Sequence, residues 1–169
     1  MTIHSNFVVK REAEIKTGEL IKYQTARGWG LGFVLSNAEG RLSVAALRET
    51  GQSSLPIHST FFTSDTILSF GTDYVIELLD SDETWPGNYA AHADGTITLG
   101  HNGKILQLSD GRGVGRPNWL DLETMKFSSK ADSEGSPVVK WRIWANEQDY
   151  NSLKSTPIFE FGTKVESPS

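Results

Sequence analysis

Short runs of apolar and β-branched residues, each bounded by turn formers, recur along the chain at roughly ten-residue intervals. Residues 19–24, 31–35, 41–46, 67–70, 74–79, 138–144 and 158–161 read as strands. Ser36-Asn37-Ala38-Glu39-Gly40, Phe70-Gly71-Thr72-Asp73, Trp85-Pro86-Gly87-Asn88 and Ser133-Glu134-Gly135-Ser136-Pro137 supply the turns between them. Strands this short and this regularly spaced predict an all-β fold. The expected form is a single antiparallel β-sandwich or barrel of about nine to eleven strands, with one or two short helical turns. A β-trefoil is the alternative: the run from Asn102 to Gly111, with Trp141-Arg142-Ile143-Trp144, looks like one lobe of that fold, although no second lobe matches it. Residues 1–164 are expected to form one domain, and the polar tail 165–169 to fray.

The register is most sharply defined between His92 and Leu108. Asp94-Gly95 and Asn102-Gly103 each suit the two positive-φ positions of a type I′ turn. They predict a three-stranded meander of residues 89–93, 96–101 and 104–108. In that register His101 pairs with Lys104, Leu99 with Leu106 and Ile97 with Leu108. Ala90, Ile97, Leu99, Leu106 and Leu108 then share the core face, and Ala91, Ala93, Thr96, Thr98, Ile105 and Gln107 the other. Within 138–144, Val139, Trp141 and Ile143 share one face, while Lys140, Arg142 and Trp144 share the other. Trp141 is therefore the core residue, and Trp144 the outward aromatic.

Helical periodicity is scarce. Residues 8–16 hold good helix formers over only about two turns. Pro117-Asn118, followed by Trp119, Leu122 and Met125, predicts a short helix capped by Asn118. Asn146-Glu147-Gln148-Asp149 predicts another helical turn. Residues 43–49 fit either a helix closed by Gly51 or a strand, and the alternation of Leu42, Val44 and Ala46 favours the strand.

Composition narrows the function classes. A chain of 169 residues, 37% apolar and 22% charged, has the profile of a soluble globular protein able to bury an ordinary core. A net charge of −5 gives no general attraction to nucleic acid or an anionic membrane, so neither is an expected partner, although a local basic patch is compatible with it. The chain has no cysteine, which removes disulfides, thiolate metal sites and a cysteine nucleophile together. Residues 1–16 lack the apolar stretch of a signal peptide, no segment approaches the roughly 18 apolar residues of a membrane span, and no Asn-x-Ser/Thr sequon occurs. A cytoplasmic or virion-associated protein is the expectation.

No catalytic elbow, phosphate loop or cofactor fingerprint is present, and no metal or cofactor is expected. In the meander register His92 and His101 stand roughly 13 Å apart, too far to share an ion bound at about 2.0–2.1 Å. His4 and His58 have no ligand spacing with either. Asp80-Ser81-Asp82-Glu83-Thr84 reads as a solvated acidic loop and lacks the calcium-loop pattern. Asp73, Glu77, Asp121 and Glu123 are the basis of an enzyme reading, which needs them to meet in space.

Three segments offer contact chemistry. Trp85, Asn88 and Tyr89 flank a Pro-Gly turn and suit a sugar ring or a partner protein. Arg112 and Arg116 stand in the glycine-rich run 111–117, where successive amides and guanidinium forks suit an anion or a partner. Trp119 and Trp144 are further candidate contact aromatics. Gly28-Trp29-Gly30-Leu31-Gly32 enters an apolar strand and points instead to a bulge or close backbone packing. The leading expectation is a non-enzymatic binding or assembly module. It would contact a protein partner, or copies of itself, through loops or strand edges, as in a virion or secretion-machine component. A carbohydrate-binding, lectin-like protein using the loop aromatics is the alternative, and an enzyme with carboxylate chemistry the second.

Overall fold

The computed structural model describes residues 5–38, 41–52, 56–62, 66–85, 93–101, 103–109, 118–128, 135–152 and 154–162. They form fourteen strands, a 3-10 turn at Glu12–Glu14 and one short helix, α1 (Glu147–Tyr150). The first sheet contains β1 (Val8–Lys10), β2 (Leu20–Thr25), β3 (Gly28–Ala38), β4 (Arg41–Glu49), β5 (Ile57–Phe62) and β6 (Ile67–Ser69), in the order β1-β6-β2-β3-β4-β5. The second contains β8 (Ile97–Gly100), β9 (Gly103–Leu108), β10 (Asn118–Asp121), β11 (Lys126–Ser128) and β12 (Ser136–Val138), in the order β11-β10-β9-β8-β12. The third places β13 (Lys140–Trp144) between β14 (Phe159–Phe161) and β7 (Val75–Leu79). Every strand ladder is antiparallel. The all-β expectation holds, but the strands close no barrel. Sheets of six, five and three strands also lack the threefold repeat of a trefoil.

The main core joins all three sheets. Leu20, Leu31, Phe33, Ala45 and Leu47 from the first meet Ile97, Leu106, Leu108, Leu120 and Val138 from the second and Trp141, Ile143 and Phe159 from the third. A second cluster occupies the opposite face of the six-stranded sheet, where Ile21, Tyr23, Val34, Leu42, Val44, Ala46 and Ile67 surround Ile15. Both faces of β2, β3 and β4 are thus buried. That explains why their sequences read as near-continuous apolar runs, and why Val44-Ala45-Ala46-Leu47 resembled a helix. The strand reading of residues 43–49 is correct. Ser36 to Ala38 extend β3, with Ala38 opposite Arg41.

Tyr23 on β2 stacks on Phe61 on β5 with ring centroids 4.4 Å apart, although β3 and β4 lie between them. In a flat sheet those strands would stand about 14 Å apart, so the sheet must curl around its second core. Gly30 makes room for this: a Cβ there would sit 2.4 Å from Cζ of Tyr23. At Gly32 a Cβ would sit 2.5 Å from the carbonyl oxygen of Ala45, and the β3–β4 register shifts between Leu31 and Gly32. The glycine-spaced run is therefore both a bulge and a close backbone approach.

Several expectations are corrected. Residues 8–10 are β1 and not the start of a helix, since β-branched Val8 and Val9 pair with Ser69 and Leu68. Asn118 begins β10, whose Leu120 is buried between Leu106 and Phe127 partners, and only residues 122–125 turn. Ladder pairing on both edges outweighed the helical spacing of Trp119, Leu122 and Met125. The hairpin β8–β9 is present, but Ile97 faces Leu106 and Gly100 faces Gly103, so Gly103 belongs to the ladder. The slip is two residues and every side chain keeps its face: Ile97, Leu106 and Leu108 are core, with Leu99 packed at the margin. The other edge of β8 pairs with β12, which takes the place expected for residues 89–93; residues 86–92 lie outside the described residues. The helical turn after Asn146 is present, with the Asn146 side chain accepting from the Asp149 amide.

Candidate functional site

The contact aromatics named from sequence do not form one site. Trp85 ends the turn that begins at Ser81 and is 52% exposed. Asn88, Tyr89, Arg112 and Arg116 lie outside the described residues. Trp119 is half-buried on β10. Trp144 lies on the outward face of β13, as its strand position predicts, and is half-buried there: its Nε1–H donates to Glu77 on the neighbouring strand at 2.9 Å, and Tyr150 packs edge-on at 6.1 Å. Trp141 is fully buried, as its strand face predicts, and donates to the carbonyl of Gly95 at 2.8 Å.

The four candidate carboxylates do not meet at one site: Asp121 and Glu123 share one turn, while Glu77 lies on β7 and Asp73 beside Phe70 and Asn146. Asp121 accepts from the amides of Glu123 and Thr124, closing the turn after β10. Glu123 pairs with Lys104 in the same sheet, whereas Glu77 belongs to the third sheet and holds Trp144. Among the described residues no group of three His, Asp or Glu side chains is placed to hold a metal ion, and no helix is long and apolar enough to cross a membrane. Ser43 Oγ and His58 Nε2 stand 2.8 Å apart, with Phe127 edge-on to the imidazole at 5.0 Å, and burial lowers the His58 pKa.

The feature the sequence reading missed is the outer edge of β1. This strand pairs only with β6, so its other side presents free backbone donors and acceptors among the described residues. Val8 and Val9 point to opposite faces and are 62% and 60% exposed. Three other edges are better protected. β12 carries Pro137, which has no N–H to offer, and β5 is bridged by Ser109. β11 carries Lys126, the kind of charge that discourages edge pairing.

The same strand is pinned to its sheet by a charge network. Lys10 Nζ lies 2.8 Å from Oε1 of Glu19, a residue only 3% exposed. The Glu19 carboxylate also accepts from the Lys16 amide at 3.2 Å and from the Ser69 hydroxyl. Burial pushes the Glu19 pKa upwards, but the bonds from Lys10 and Ser69, the Lys10 charge and the Lys16 amide outweigh it and hold the carboxyl below its ordinary value. The only charge on β1 is thus engaged inside the chain, leaving the valines as what the edge presents. Beside the edge lies a hollow of about 350 Å³ lined by Phe7, Val8, Lys10, Phe70, Asp73 and Asn146. A second, of about 640 Å³, shares Asp73 and Asn146 and reaches Tyr150.

No family model, curated protein or solved structure matches this chain. Its reading therefore rests on the site itself. The signal for the edge was present in the sequence as Phe7-Val8-Val9, an aromatic and two β-branched residues beside a segment whose helix formers masked them.

Proposed function

We propose that the protein is a non-enzymatic binding or assembly module that engages another macromolecule by strand addition at the outer edge of β1. The observation that carries this reading is an edge strand with Val8 and Val9 exposed on both faces and no free charge to repel a neighbouring strand. Main-chain hydrogen bonds supply affinity in this mode of recognition, and flanking hollows receive side chains of the added strand.

Photo-crosslinking tests it. With benzoylphenylalanine at position 9, irradiation is expected to join the chain to a partner strand, either of another protein or of a second copy, while the same group at exposed Lys154 gives no such product. Val9→Lys is expected to abolish the assembly seen by light scattering without altering the circular dichroism spectrum. A strict monomer with no position-9 product, or equal products from positions 9 and 154, overturns the proposal.

A further inference from the structure

A separate surface lies across the middle of the six-stranded sheet. The register aligns Val9, Leu68, Lys22, Leu31 and Arg48 in one cross-strand row, with Trp29 two pairs further along β3, opposite Gln24 and on the same face. The bulge at Leu47 sets Arg48 on the main-core side of β4, while Glu49 turns to the other side, where it accepts from the Tyr23 hydroxyl at 3.5 Å. Arg48 therefore leaves its neighbouring carboxylate behind. Its guanidinium carbon lies 5.9 Å from the Trp29 ring and 5.6 Å from Phe159, and Lys22 Nζ lies 4.4 Å from the Trp29 ring.

Two properties make this stack more than a seal over the core margin. Trp29 is 37% exposed, and its backbone is held at both ends by one residue: Thr50 donates its hydroxyl and its amide to the Trp29 carbonyl at 3.1 and 3.0 Å, and Thr50 Oγ1 accepts from the Trp29 amide at 3.2 Å. The indole is thus presented on a fixed platform. In addition, neither Lys22 nor Arg48 has a carboxylate partner among the described residues, whereas Lys10, Lys104 and Arg142 each have one. A ring contact leaves the guanidinium fork free to bond an oxyanion in its plane.

We propose that Lys22, Trp29 and Arg48 form a binding site for a compact carboxylate borne on a sugar ring. The carboxylate bridges the ammonium and the guanidinium, and the sugar ring packs against the part of the indole that the two cations leave exposed. The chain's overall charge of −5 selects against a polyanion, which would feel the whole molecule. A single carboxylate feels chiefly the two nearby cations, because charges beyond about 8 Å are screened at physiological salt. The site does not depend on the β1 edge.

Titration of ¹⁵N-labelled protein with sodium glucuronate tests this, reading the Trp29 indole N–H and the Arg48 Nε–H. Both signals are expected to move saturably, while glucose and sodium chloride at equal ionic strength leave them in place. Arg48→Gln and Lys22→Gln are each expected to weaken the response on the order of tenfold. Both side chains end at the surface, so unchanged core resonances verify that the variants are folded. Shifts no larger than those from sodium chloride overturn the proposal. So does a response to inorganic phosphate or a thymidine oligonucleotide with glucuronate silent.

Discussion

At the scale of single residues, Glu19 and Gly30 have the clearest consequences. Glu19 has a lowered pKa in the folded chain, so its contribution to stability is present above the unfolded carboxyl value and is lost as pH falls through the folded one. Glu19→Gln is expected to cost about 1–3 kcal/mol at pH 7, since Lys10 then lacks its counter-charge. Thermal melts of the two proteins should converge at acid pH, because protonation removes the same interaction from the wild type. The phenol of Tyr74, partly buried and donating to the carbonyl of Gly18, is pushed up to about 12 by that burial and stays neutral throughout such a series. Gly30→Ala places a methyl group inside the Tyr23 ring and is expected to cost about 1–3 kcal/mol, measured by urea unfolding. In a Tyr23→Leu background the same substitution should cost less. Neither residue's role is visible in the sequence. Glu19 reads as an ordinary strand-edge charge, and Gly30 needs the curl of the sheet to explain it.

At the scale of elements, the turn at Asp94-Gly95 ties the second sheet to the third. Gly95 has φ +86°, its amide donates to the Gln107 carbonyl, and its own carbonyl accepts from buried Trp141. A Cβ at this position would fall 2.0 Å from Cζ of Phe161, which stacks on Trp141 at 5.6 Å. Gly95→Ala is expected to destabilise by about 2 kcal/mol or more, through positive-φ strain and overpacking together. Trp141→Phe is expected to cost about 1–3 kcal/mol by leaving the Gly95 carbonyl unpaired. Denaturant midpoints at constant slope check both. Helix α1 depends on a single cap, so Asn146→Ala should remove about 1 kcal/mol. The helical turn itself was legible in Asn146-Glu147-Gln148-Asp149, as were most of the strands. β5, β10 and β11 were not predicted as strands, although each pairs with a neighbour in the chain: the spacing of Trp119, Leu122 and Met125 imitates a helix across β10 and β11, and β5 lacks a bounding hairpin turn of its own.

At the scale of the whole molecule, the six-stranded sheet is the organising unit. It packs the main core on one face and curls around the second cluster on the other. Its unpaired end is β1, and the middle of its main-core face carries the Lys22–Trp29–Arg48 stack. The two surfaces are separate, so Val9→Lys should leave the glucuronate response intact and Arg48→Gln should leave assembly intact. A double titration of the two variants checks that independence.

By itself, the amino-acid sequence determined the fold class, the core faces of the β8–β9 hairpin and of β13, and the helical turn of α1. Each follows from period-2 alternation or from turn and cap chemistry, which act between near neighbours. Only the tertiary structure decided which edges pair, and that choice made β1 an open edge and moved Trp144 into a bond with Glu77. It also decided that Arg48 leans over Trp29 while Glu49 turns away. The physical reason is common to all three: ladder order, bulge position and sheet curl arise from contacts between residues far apart in the chain, and local pattern carries no record of them.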